Sequence, residues 1–135
     1  MRTIHIDGAS AGQPGPSGVG IFVRHDDGSV EEFSRPLGCL TNNEAEFEAC
    51  VYAYELCRER GWHSASIRTD SQLVNASVEK QFVKRKLYQP YLAKILRAEE
   101  ELPLCFLKWV PSRENRAADR LARQAVLASR REDSC

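Results

Sequence analysis

Up to Leu40 the apolar residues of this chain recur at every second position; from Thr41 they recur at helical spacing, and the two periods then alternate. That switch constrains the fold more than any other feature. A period of two marks strands with one buried face, and a period near 3.6 marks amphipathic helices. "RTIHID" places Ile4 and Ile6 on one face of a strand and His5 and Asp7 on the other. "GASAGQPGPSG" reads as a Gly/Pro/Ser loop. "VGIFVRH" and "VEEFSRPL" are two further strands joined by "DDG", a hairpin signal. Thr41 to Arg60 is helical, and Gly61 supplies the stop. "SASIRT" is a short strand, "SQLVNASV" a brief helix, and Lys80 to Lys86 a basic loop or turn. "YQPYLAKILRAEEEL" is a second long helix with Pro90 in its first turn. "LCFLKWV" is a strand ended by Pro111, and "ENRAADRLARQAVLASR" is the last helix.

The resulting order, β-β-β-α-β-α-α-β-α, predicts an α/β fold: an antiparallel meander extended by parallel strands, with helices packed on the sheet. At 135 residues the chain fits one domain, read as residues 1–130 with a frayed tail at 131–135. No apolar run approaches the ~20 residues of a membrane span, and no signal-peptide core opens the chain, so the expected compartment is cytoplasmic. The five cysteines form no C-x-x-C pair, which argues against a zinc site or disulfide framework. Trp62 and Trp109 read as core residues. Net charge is zero, with 19 basic and 19 acidic residues, which disfavours a protein that coats nucleic acid by charge alone. The charges are segregated, however. "KQFVKRK" is basic, as is the stretch from Arg113 to Arg123, while the glutamate-rich segments lie elsewhere.

The acids separate by position. The strands "TIHID" and "SIRTD" should run parallel, and each ends in a carboxylate followed by a small residue: Asp7-Gly8 and Asp70-Ser71. Sites in open α/β sheets collect at such carboxyl ends. If the strands are neighbours, Asp7 and Asp70 face one crevice. In the Thr41–Arg60 helix, with about 100° per residue, Ala53, Cys57 and Cys50 fall within about 40° of Glu46. Glu46 thus sits in the apolar arc, where a carboxylate is costly unless paired, protonated or bound to metal. Glu44, Glu48, Glu55 and Glu59 cluster on the opposite side, about 160° to 220° away, as a solvated face. "TNNE" also fits a capping box, with Thr41 as cap and Glu44 reaching back. Asp119 lies at the edge of the buried face of the last helix, where an i,i+4 pair with Arg123 is the simpler reading. Together, four acids from separate segments call for hard divalent cations such as Mg²⁺ or Mn²⁺. Two such ions suit in-line attack on a phosphodiester.

"IDGAS" after the first strand, "TNNEAE" opening the first helix, "TDSQ" after the fourth strand and "NRAADRLA" in the last helix resemble type 1 ribonuclease H. The resemblance spans about Arg2 to Ala128, and "VPSRENRAADRLARQA" is similar to the family's compact branch. It implies a ribonuclease H-like fold: a five-stranded mixed sheet, antiparallel in β1–β3 with parallel β4 and β5, and helices on both faces. It implies an endonuclease that cuts the RNA strand of RNA–DNA hybrids with two ions, Mg²⁺ or Mn²⁺, leaving a 3′-hydroxyl and a 5′-phosphate. The family's catalytic and metal-binding quartet falls on Asp7, Glu46, Asp70 and Asp119. Its nucleic-acid contacts fall on Thr41, Asn42, Asn43, Ser71 and Gln72, with the backbone of Gly8, Ala9 and Ser10 near ribose 2′-hydroxyls. Lys80, Lys84, Arg85 and Lys86 could follow the DNA strand's phosphates, or form only a solvated loop. The expected partner is the hybrid, with no membrane and no obligate protein partner; a monomer is expected. Two features depart from the family. The loop "WVPSREN" lacks the family's mobile His, with Arg113 or Glu114 as the candidate substitute, and "VEKQFVKRK" is shorter than the basic handle of some members. The alternatives are a same-fold nuclease acting on RNA–RNA duplexes and a non-catalytic hybrid-binding protein.

Overall fold

The computed structural model describes residues 1–131. Residues 132–135, most of the expected tail, lie outside the described residues, and Arg131 closes the last helix instead of opening the tail. One sheet contains β1 (Arg2–Ser10), β2 (Gly15–Arg24), β3 (Val30–Leu40), β4 (Ser64–Thr69) and β5 (Leu104–Trp109). The spatial order is β3-β2-β1-β4-β5. The first three strands are antiparallel, and β4 and β5 run parallel to β1, as expected. The helices are α1 (Asn42–Arg60), α2 (Gln72–Lys80), α3 (Gln89–Glu101) and α4 (Arg116–Arg131). A 3-10 turn, Ser112–Glu114, precedes α4, so Glu114 lies in that turn and not in the helix.

The Gly/Pro/Ser stretch is mostly strand, which corrects the expected loop at residues 8–18. Strand β1 continues through Ser10 and β2 begins at Gly15, leaving only residues 11–14 to connect them. Close helix packing is the physical reason. A Cβ on Gly8 would run into the Ala45 carbonyl of α1, and one on Gly20 would run into the Ala118 carbonyl of α4. These glycines record backbone approach, not a mobile loop.

The same two residues show that the helices cover both faces. In the β1–β2 register, Gly8 lies opposite Val19 and Asp7 lies opposite Gly20. Opposed residues of an antiparallel pair share a face. Helix α1 therefore covers the Gly8 face, and α4 covers the Asp7–Gly20 face. On the α1 side, Ile4, Ile6, Val19, Ile21 and Val23 pack with Phe47, Ala53, Tyr54 and Cys57 in the main core. On the other side, Ala118, Ala122 and Ala125 are buried, and their small side chains let α4 lie on the glycines of β2.

Trp62 is buried as expected, but Trp109 is 38% exposed. It ends β5, which is the edge strand of the sheet among the described residues. The solvated face read for α1 is also narrower than expected. Glu59 is exposed, but Glu44, Glu48 and Glu55 are half-buried because α3 packs along that side, with the Tyr91 hydroxyl donating to Glu44 Oε2 at 3.1 Å.

Candidate active site

The parallel pairing of β1 and β4 aligns Ile6 with Thr69, so Asp7, which lies within β1 and not at its end as expected, and Asp70, just past β4, stand at the same level. Helix α1 begins above them. The Thr41 side chain accepts from the Glu44 amide, and the Glu44 carboxylate accepts from the Thr41 amide, which completes the capping box. That start puts Glu46 at the opening of the second turn, over β1. There the Gly8 amide donates to Glu46 Oε1 at 2.7 Å. The missing side chain at Gly8 permits this approach, so one glycine both admits the helix and orients its carboxylate.

Asp7, Glu46 and Asp70 each offer a carboxylate oxygen within 4.8 Å of the others. Asp7 is 6% exposed and Glu46 8%. Asp119 on α4 completes the group, and its contact contributes to the perturbation of Asp7. A cavity of ≈ 370 Å³ is lined by Asp7, Glu46, Asp70 and Asp119 together with Asn42 and Arg123. The four acids expected from sequence thus meet in one place.

Their electrostatics are unfavourable as they stand. Burial, then the neighbouring Glu46, Asp70 and Asp119, pushes the Asp7 carboxyl far above the ordinary carboxylate range. Burial also pushes Glu46 up to about 7, although the Asp7 contact and the Gly8 amide pull the other way. Crowded carboxylates shift in this way when a compensating positive charge is missing. The nearest paired cation is Arg123, which holds Asp119 at 3.1 Å but is 76% exposed. Three hard oxygen donors, two buried and one half-buried, are the donor set of a small divalent cation, so the residues present fit one.

Side chains around the group hold it in place. The Trp109 indole N–H donates to the Asp70 carbonyl at 3.2 Å. Asn115, buried at the head of α4, donates through Nδ2 to the Ile6 carbonyl at 2.8 Å. The α4 backbone bond from the Asp119 amide to the Asn115 carbonyl continues that link. Strand β1 and helix α4 are therefore joined immediately beside the two acids they contribute.

The expected nucleic-acid contacts divide. Gly8, Ala9 and Asn42 line the acidic cavity. Asn43 shares a second cavity with Lys84 and Arg85. Gln72, Lys80 and Lys86 are exposed on α2 and the turn that follows it. Three others are occupied within the protein. Ser10 Oγ donates to the Leu40 carbonyl at 2.8 Å, Thr41 caps α1, and Ser71 caps α2 through the Val74 amide at 3.1 Å. Arg113 and Glu114, the candidates for the missing loop His, line a different cavity with His5, and Ser112 is the residue of that loop that reaches the acids. Sequence reading did not find Ser112 or Trp109. It found Arg123 only as the partner of Asp119, and the i,i+4 spacing was the available signal that it lies at the site.

Residues 5–125 match the family model described as reverse transcriptase-like. A Halobacterium salinarum protein named ribonuclease HI is 38% identical over 128 residues, covering 90% of this chain and 62% of its own length. An Enterococcus faecalis protein named "Putative hydrolase EbsB" is 39% identical over 128 residues, covering 93% of this chain and 94% of its own. Among solved structures, the N-terminal ribonuclease H domain of Rv2228c from Mycobacterium tuberculosis superposes with a TM-score of 0.88 at 30% identity, covering 98% of this chain and 97% of that one. LC11-RNase H1, solved in complex with an RNA/DNA hybrid, superposes with a TM-score of 0.86 at 29% identity, covering 96% and 99%.

Proposed function

The chain belongs to the type 1 ribonuclease H family, and from that premise we propose that it is a metal-dependent endonuclease hydrolysing the RNA strand of RNA–DNA hybrids. The products would be a 3′-hydroxyl and a 5′-phosphate. One observation carries the reading: three carboxylates from β1, α1 and the end of β4 converge within 4.8 Å, two of them buried, with no buried cation among the described residues. A hybrid-binding protein without catalysis gains nothing from carboxylates that face phosphates.

Asp7, Glu46 and Asp70 would hold one divalent ion, and Asp119 would help to hold a second. Mg²⁺ or Mn²⁺, when bound, supplies Lewis acidity and a more acidic water. The protein's own part is placement. The Gly8 amide fixes Glu46, Trp109 anchors the backbone at Asp70, and Asn115 ties Asp119 to β1. Gly8 and Ala9 present little side chain, which leaves room for a ribose edge whose 2′-hydroxyl separates RNA from DNA. Asn42 and Asn43 open α1, where the helix dipole favours a phosphate. Lys84 and Arg85, beside Asn43, would lie along the DNA strand's phosphates. A single domain acting as a cytoplasmic monomer completes the proposal.

Labelled RNA–DNA hybrid, RNA duplex and DNA duplex incubated side by side with Mg²⁺ or Mn²⁺ test it. Cleavage confined to the RNA of the hybrid is expected. Equal cleavage of RNA duplex would shift the substrate class. Hybrid binding without cleavage at any metal concentration would overturn the proposal.

A further inference from the structure

Beside the acidic cavity, on the same face of β1, lies a second cavity of the opposite charge. It measures ≈ 260 Å³ and is lined by His5, Phe22, Arg24, Arg113, Glu114 and Arg116 with Ala117. Among the described residues none of its three arginines is salt-bridged, whereas Arg58, Arg60, Arg120 and Arg123 each hold an acid. Arg24 leans over the Phe22 ring, with 5.7 Å to its centroid, which steadies the guanidinium and leaves its donors free. Arg68 neighbours His5 across the β1–β4 ladder, and Lys108 neighbours Arg68 on β5, so the positive field extends over the open part of this sheet face. Three unpaired guanidinium groups around one hollow repel each other, in a chain whose net charge is zero. An anion seated there would remove that cost, and the planar guanidinium fork is matched to phosphate.

The location narrows the anion. His5 precedes Asp7 by two residues, roughly 6–7 Å along β1. Arg116 precedes Asp119 by three residues, roughly 4.5 Å along α4. The two cavities are therefore about one step of a nucleic-acid backbone apart. We propose that the basic cavity is a phosphate subsite seating a backbone phosphate of the strand being cut, within one or two nucleotides of the reacting bond. The proposal rests on the hydrolase reading above. It assigns Arg24, Arg113 and Arg116 a role in positioning the RNA strand, separate from Lys84 and Arg85 on the far side of α1.

The test uses full-length protein with Arg24→Ala, Arg116→Ala and the double variant, each checked for unchanged thermal unfolding. Binding to an RNA–DNA hybrid is measured across a salt series, with Ca²⁺ in place of the catalytic metal. Each substitution is expected to lower the slope of log affinity against log salt by about 1. In Mg²⁺, KM should rise several-fold while kcat stays unchanged. A set of hybrids carrying one neutral methylphosphonate at successive RNA positions then locates the contact. At one position near the cut, neutralisation and Arg116→Ala should each weaken binding but not add. Full additivity at every position, or an unchanged salt slope, would overturn the proposal. Competition by inorganic phosphate that the double variant abolishes, with hybrid binding intact, would also overturn it, by identifying a free-anion site. If wild-type protein neither binds nor cuts the hybrid, the hydrolase reading itself fails, and that outcome is distinguishable from the others.

Discussion

Glu46 and Glu44 differ by half a helical turn and by everything else. Glu44 is spent on the helix cap and on the Tyr91 hydroxyl. Glu46 is buried among carboxylates with one amide for company. Glu44→Gln should retain activity and cost at most ~1 kcal/mol in thermal unfolding, the scale of a lost cap. Asp7 makes the opposite trade. Its carboxyl is raised by burial and by Glu46, and that of Glu46 by burial and by Asp70 and Asp119, so without metal the folded protein holds their protons more tightly than the unfolded chain does. The sign follows from linkage: the contribution is fully present below the ordinary values, 3.8 for Asp7 and 4.5 for Glu46, and is lost for Glu46 as pH rises through about 7. Metal-free protein should therefore lose thermal stability across that window, and Mg²⁺ should restore more of it at the alkaline end. Asp7→Asn should abolish cleavage yet stabilise the metal-free protein by about 1 kcal/mol or more, the worth of one pKa unit. Unfolding scans with and without Mg²⁺ check both statements. Trp109→Phe keeps the ring and removes the indole N–H that holds the Asp70 carbonyl. It should raise the Mg²⁺ concentration needed for half-maximal activity several-fold, with the fold intact by circular dichroism.

At the scale of elements, sequence patterns located the acids because each acid breaks its element's pattern. Asp7 and Asp70 stand where an alternating strand meets a small residue, and Glu46 interrupts an apolar arc. What the patterns could not show was approach between elements. Glycine within β1 and β2 reads as loop composition until a helix is laid against it. Ser112 and Trp109 reach the site only through the placement of β5 and the 3-10 turn, and no local period encodes that placement. Glu48 and Glu55 look solvated on a wheel, and only the packing of α3 half-buries them. Gly20→Ala measures the cost of approach directly. Its Cβ would meet backbone of α4, so the helix must shift, and a loss of about 1–3 kcal/mol is expected by chemical denaturation. An unchanged midpoint would show that α4 does not rest on β2 as closely as described.

For the molecule as a whole, the fold brings together segments far apart in sequence. Two strands and two helix starts converge at one end of the sheet, where β1, the end of β4, α1 and α4 each contribute one acid. The overall charge of zero conceals an acidic cavity flanked by basic ones, with Lys84 and Arg85 on one side and Arg24, Arg113 and Arg116 on the other. Such segregation suits a substrate that is polyanionic everywhere and must meet acids only where cations screen them. The most direct test is the initial rate on a labelled RNA–DNA hybrid in Mg²⁺ or Mn²⁺, for wild type, Glu46→Gln and Glu44→Gln in parallel. The expected result is cleavage of the RNA strand by wild type and Glu44→Gln, and none by Glu46→Gln. Activity retained by Glu46→Gln and lost in Glu44→Gln, or no cleavage by wild type with either metal, would contradict it.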